Sequence, residues 1–137
     1  MTVIVTDKGF SPETWTEGFT ALGAANDAEA LDISAETQPD DIPICSGLKM
    51  VRIDFPSSAD GRGFTIARAL RLRGYQGRLR ARGHVLADQY AMARRSGFDE
   101  IEINDDLAAR QPQDQWRFRA NWQDHDYQNR LRGRTAG

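Results

Sequence analysis

Between residues 48 and 104 apolar and charged side chains alternate in three short runs separated by two amphipathic stretches, and that pattern leaves few folds open. Lys49 to Phe55 sets Val51, Ile53 and Phe55 against Arg52 and Asp54. The run opened by Gly77 sets Leu79 and Ala81 against Arg78, Arg80 and Arg82 and stops at Gly83; Phe98 to Asn104 sets Ile101 and Ile103 against Glu100, Glu102 and Asn104. A period of two is that of a strand with unlike faces. Between these runs, Phe64 to Arg73 gathers Ile66, Ala67, Ala69 and Leu70, with arginines at 68, 71 and 73 and Gly74 as a C-terminal stop. Val85 to Ser96 gathers Leu86, Tyr90 and Ala93 on one stripe before Gly97. Both read as helices. Strands alternating with helices through short loops imply right-handed parallel crossovers, a βαβαβ unit.

Parallel strands covered on both faces normally read as continuous apolar runs. These are half charged, so we expect an α/β fold with strands in sequential order and helices mainly on one face, resembling part of a (β/α) barrel. The opposite face would carry Arg52, Asp54, Arg78, Arg80, Arg82, Glu100 and Glu102. Two readings follow. The face is an ion-pair layer, covered by the C-terminal tail or by a second subunit in a homo-oligomer; or it is a polar concavity whose arginines stay unpaired until an anion arrives.

Around this unit, Val3 to Thr6 reads as a strand, Asp7 to Gly9 as a turn, and Ser11-Pro12-Glu13 as a helix start, with Trp15, Phe19 and Leu22 at helical spacing and Gly23 at the end. Leu31 to Ser34 is a short alternating run. Between Thr37 and Gly47, Asp40 or Asp41 is expected to cap a short helix broken by Pro39 and Pro43. From Asp105 the chain turns polar and irregular, and residues 105–137 read as a tail whose Trp116, Phe118, Trp122 and Tyr127 dock on the domain or on a partner. A length of 137 residues suits one domain, 1–137. The single cysteine, Cys45, allows no internal disulfide and no four-thiolate cluster, fits a reducing cytoplasm, and reads as a small buried residue. The N-terminus carries no basic stretch followed by an apolar one, and no segment approaches the roughly 20 apolar residues of a bilayer span, so a soluble cytoplasmic protein without membrane contact is expected.

The net charge of −2 conceals a block at residues 61–97 with nine bases, all arginine, and one acid. Arginine without lysine favours planar, bidentate contacts to carboxylates or oxyanions, either from the acidic flanks of the same chain or from a ligand. The loop Asp60-Gly61-Arg62-Gly63-Phe64-Thr65 falls where a strand's carboxyl end meets a helix N-terminus, the edge at which parallel α/β folds bind anions. Asp60, Gly61, Arg62 and Gly63 are therefore candidate ligand contacts, with Asp60 as a plain helix cap the alternative. Arg80, and Asp88 and Gln89 after the next strand, complete the candidate edge. His84 and Asp88, four apart, could form an acid–base or metal pair, but an isolated pair assigns no metal site. Gly61 and Gly63 match two glycines of a dinucleotide fingerprint whose third position is Ile66 here, and neither a Walker sequence nor a nucleophile motif occurs. No cofactor is evident. The arginines lack interleaved aromatic platforms, which disfavours nucleic acid.

The residues Phe55-Pro56, Asp60 to Arg68, Leu70-Arg71, Gly74-Tyr75-Gln76-Gly77, Leu79-Arg80-Ala81, Gly83, Val85-Leu86, Asp88-Gln89 and Gly97-Phe98-Asp99 together closely resemble a family of small bacterial proteins, domain of unknown function 934. Trp15 and Tyr127-Gln128 resemble its weaker terminal landmarks. Members are commonly described as oxidoreductases of sulfite reduction, because they are typically encoded beside the sulfite reductase hemoprotein and the assimilatory sulfate reduction enzymes. Members usually have an acidic residue where His84 stands, which weakens a catalytic role for His84, and serine where Thr65 stands. The resemblance implies a place in sulfur assimilation: an accessory protein that binds sulfite reductase, another enzyme of the pathway, or a small oxyanion; an oxidoreductase with a non-standard cofactor site; or a structural oligomerisation domain. One cysteine and no standard cofactor motif favour the first.

Overall fold

The computed structural model describes residues 2–21, 29–44 and 47–119. Cys45, Leu22, Gly23, Trp122, His125, Tyr127 and Gln128, to which the sequence assigned roles, lie outside them. The chain runs β1 (Thr2–Thr6), β2 (Gly9–Ser11), β3 (Thr20–Ala21), β4 (Ala30–Ile33), β5 (Met50–Phe55), α1 (Arg62–Leu72), β6 (Arg78–Gly83), α2 (Tyr90–Ser96), β7 (Glu100–Asn104), α3 (Asp105–Arg110) and α4 (Gln113–Phe118).

The expected βαβαβ unit is β5-α1-β6-α2-β7, with its three strands parallel and sequential. It sits inside a seven-stranded mixed sheet of order β2-β1-β7-β6-β5-β4-β3. Strands β3 and β4 extend the parallel part, and β1 and β2 add an antiparallel edge beyond β7. Sequential order is what a barrel segment has, but among the described residues β2 and β3 do not pair and the sheet stays open.

One face carries the core. Val51, Ile53, Phe55, Leu79, Ala81, Ile101 and Ile103 pack under Ile66, Ala67 and Leu70 of α1 and Tyr90 and Ala93 of α2. Phe55, Phe64 and Phe98 cluster with ring centroids 5.0–6.4 Å apart in tilted and edge-on contacts. The C-terminus of α1 is closed by Arg71 as well as by Gly74. Its guanidinium donates to the carbonyls of Tyr75, Gly77 and Gly97 and to Asp99, tying the two helix ends to the starts of β6 and β7.

Four expectations are corrected. No helix follows Ser11-Pro12-Glu13: Ser11 pairs with Ile4 in the β1–β2 hairpin, turned at Gly9 with φ 104°, and residues 12–19 run irregularly across the charged face of the sheet. The spacing of Trp15 and Phe19, read as a helical stripe, instead places their rings 6.3 Å apart above arginines. The helix expected over 85–96 begins as a 3-10 turn, Ala87–Gln89, because the Gln89 side chain accepts the Leu86 amide and tightens that turn. The short helix of the 37–47 stretch is a 3-10 turn, Pro39–Asp41, with Gln38 rather than an aspartate at its N-cap. Within the described part of the tail, residues 105–119, the expected irregular chain forms α3, capped by the Asn104 side chain, and α4. Trp116 docks, buried edge-on against Tyr90, whereas Phe118 is exposed. No helix among the described residues is long and apolar enough to cross a membrane.

Candidate functional site

Cross-strand register sets the charged face in two rows: Arg52, Arg80 and Glu100, then Asp54, Arg82 and Glu102. Neighbouring strands lie close enough for opposite charges in such rows to meet. Arg80 is at the centre, with no exposed surface. Its guanidinium contacts Glu100 through Nε and Nη2 (2.6 and 2.5 Å), Glu102 through Nη1 (2.8 Å), and Glu13 through both terminal nitrogens (2.5 and 2.7 Å). Four of these contacts are hydrogen bonds, so four of the five N–H donors of the guanidinium are spent on carboxylates, and the fifth contact is the ion-pair approach of Nη2 to Glu100. Burial works against its charge, but Glu13, Glu100 and Glu102 outweigh burial and push its pKa up. The hydrogen bond from Arg80 in turn lowers the pKa of Glu13. Arg52 joins Asp32 (2.7 Å) to Glu102 (3.2 Å), and Arg78 holds Glu100 (2.5 Å).

The cover over this layer is the segment that carries Glu13. Phe19 lies 3.8 Å from the Arg52 guanidinium and Trp15 5.9 Å from that of Arg78, distances at which a ring face attracts a cation. Trp15 Nε1 donates to the Gly18 carbonyl, closing the segment on itself. Every buried side-chain nitrogen and oxygen among the described residues has a hydrogen-bond partner. The ion-pair reading thus describes the centre of the face, and the cover is this chain's own residues 13–19.

The carboxyl edge of β5, β6 and β7 is different. A cleft of about 310 Å³ opens there between Asp54, Arg82, His84, Glu102 and Asn104. Arg82 is about half exposed and among the described residues has one ion-pair contact, Nε to Glu102 at 3.4 Å. Glu102 is already committed to Arg80 and Arg52. Asp54 has no hydrogen-bond or ion-pair partner among the described residues. His84 Nδ1 lies 3.3 Å from the Phe55 carbonyl, and its Nε2 has no hydrogen-bond partner among the described residues. His84 also borders a second cleft, of about 250 Å³, with Ser58, Leu107 and the exposed Arg110. Two arginines and a histidine with few partners thus flank this edge.

The candidate ligand residues do not converge on one point. Asp60 and Arg62 pair with each other: the guanidinium reaches the carboxylate at 2.6–3.1 Å and the Arg62 amide donates to it at 3.0 Å. Arg62 thereby holds the Asp60 carboxyl down at about 2. Gly63 is explained by packing, since a Cβ there would collide with the Phe55 ring, whereas at Gly61 a Cβ would meet open space. Gln89 is a tether: it accepts the Leu86 amide and donates to the Ser58 carbonyl, clamping two edge loops together. Asp88 is exposed and lines a separate cleft of about 530 Å³ with Leu86, Gln111 and Phe118. Arg80 lies inside the ion-pair layer, and of the charged face Asp54, Arg82 and Glu102 line the edge cleft, Glu102 while engaged by Arg80 and Arg52. Among the described residues no three His, Cys, Asp or Glu side chains gather closely enough to hold a metal ion. Sequence reasoning missed Glu13, read as a helix-start residue, and Arg110, which lies beyond the strand pattern.

No curated protein and no solved structure matches the chain. A family model described as "Bacterial protein of unknown function (DUF934)" matches residues 30–136. The match spans β4 to α4, including the whole βαβαβ unit and its carboxyl edge, and with it the chain belongs to this bacterial family.

Proposed function

We propose that the protein is an accessory binding protein of assimilatory sulfite reduction, taking a small hydrogen-bearing oxyanion at the carboxyl edge of β5–β7 and associating with sulfite reductase. The observation that carries the binding reading is the contrast at Arg82: it keeps half its surface and one long contact, beside a layer whose other arginines are engaged. Arginine's planar fork suits two oxygens of one oxyanion. His84 and Arg110 flank the same edge, and Asp54 in the cleft can accept a hydrogen bond from a protonated oxyanion such as bisulfite. The Asp60–Arg62 pair stands at the same sheet edge and would join such a site only by opening. The sulfur assignment and the partner rest on the family resemblance of the central sequence.

Calorimetric titration with sulfite, with sulfate as the comparison, tests the binding half. Saturable binding that Arg82→Ala weakens at least about tenfold is expected, the loss of one charge-assisted bidentate contact. Equal binding by wild type and variant would remove the site. Co-purification with sulfite reductase, and slowed growth on sulfate after gene deletion, test the pathway half; unchanged growth would count against it.

A further inference from the structure

The outer surface of the helical layer presents a second, independent arrangement. Helices α1 and α2 pack side by side and bury Ile66, Ala67, Leu70, Tyr90 and Ala93 on the sheet, so their exposed stripes point away from it together. On α1 that stripe includes Arg68 and Leu72, and on α2 Met92 and Arg95. Neither helix contains an acidic residue. Their other arginines are employed: Arg71 on three carbonyls and Asp99, Arg94 on Asp7 and the Phe98 carbonyl, Arg62 on Asp60. Arg68 and Arg95 have no hydrogen-bond or ion-pair partner among the described residues. Leu72 is 83% and Met92 52% exposed, two of the three large apolar side chains that stand out on the described surface.

We infer that the outer face of α1 and α2 is a docking surface for an acidic, amphipathic segment of another protein, its carboxylates on Arg68 and Arg95 and its apolar side chains on Leu72 and Met92. Charge complementarity chooses the occupant. Two guanidinium groups without a partner among the described residues, on helices that carry no acid, call for carboxylates or phosphates. The two exposed aliphatic side chains choose between those: they gain by burial against apolar side chains and gain little against a phosphate backbone. This surface uses none of the carboxyl-edge residues, so it stands or falls separately from oxyanion binding.

The test is fluorescence anisotropy with the full chain and three labelled probes of matched charge: an acidic amphipathic helical peptide with leucines on one face, polyglutamate, and a short DNA duplex. The amphipathic peptide is expected to bind tightest, to weaken several-fold between low and physiological salt, and to lose about tenfold affinity in Arg68→Glu/Arg95→Glu. Leu72→Ser is expected to weaken it against polyglutamate selectively. The milder Arg68→Gln/Arg95→Gln pair, expected to fall between wild type and the reversal, keeps the test usable if the reversal perturbs folding. Unchanged affinity in both double variants would overturn the inference, as would tighter binding of the duplex. Self-association in light scattering that the charge reversal abolishes would also overturn it, by making the occupant a second copy of this chain.

Discussion

Arg80 and Arg82 are two residues apart on one strand and point to the same face, yet their circumstances differ completely. Arg80 has no exposed surface and is held by three carboxylates, one of them supplied by residues 13–19 folded over it. Arg82, one row nearer the carboxyl edge, lies beyond that cover and has a single ion-pair contact among the described residues. The difference shows that what an arginine can do is set by the carboxylates and covering segments within reach. The strand that presents it does not decide. Removing a buried charge from its partners and removing an exposed one are therefore different experiments.

The largest effect should come from Arg80→Met, which leaves Glu13, Glu100 and Glu102 clustered without their shared cation. A loss of about 3–5 kcal/mol of stability is expected in chemical denaturation, the usual cost of breaking a buried charge network from one side. A variant as stable as wild type would erase the contrast with Arg82. A smaller effect is expected from Glu13→Gln, and it sharpens the role of the cover. Because Arg80 lowers the folded pKa of Glu13 below its ordinary 4.5, that carboxylate stabilises the fold fully above the unfolded pKa and ceases to as pH falls through the folded value. Thermal midpoints measured from neutral pH into the acid range should fall less steeply in the variant, and identical slopes would show that Glu13 does not couple cover to layer. Smallest is Arg62→Ala: an exposed pair between near neighbours adds little, so an unchanged denaturation midpoint is expected, and a large drop would mean that the loop supports the fold.

The βαβαβ unit was legible because its alternation is local and each strand shows its own two faces; the ends of α1 and α2 were legible because Gly74 and Gly97 mark them, with φ 95° and 115°. The segment after β2 was misread because spacing of three to four residues is shared by a helix stripe and by any segment whose rings find separate seats, here above Arg78 and Arg52. Only the fold brings those arginines beneath it, from residues more than thirty positions away. The same limit applied to the site. Nothing local distinguishes Gly61 from Gly63, yet the Phe55 ring fills the space at one and leaves the other open. The run of arginines did show that oxyanion or carboxylate recognition was the theme. Which ones were already satisfied depended on Asp32, Glu13, Glu100 and Glu102, two of them outside the central unit.

The separation of engaged from open arginines can be read at both residues at once by following the arginine Nε–H resonances by NMR during a sulfite titration. Resonances of Arg82, together with the His84 ring, should shift in a saturable way while those of Arg80 and Arg52 stay fixed and slow to exchange with water. Movement at Arg80 or Arg52 with Arg82 unchanged would contradict the account.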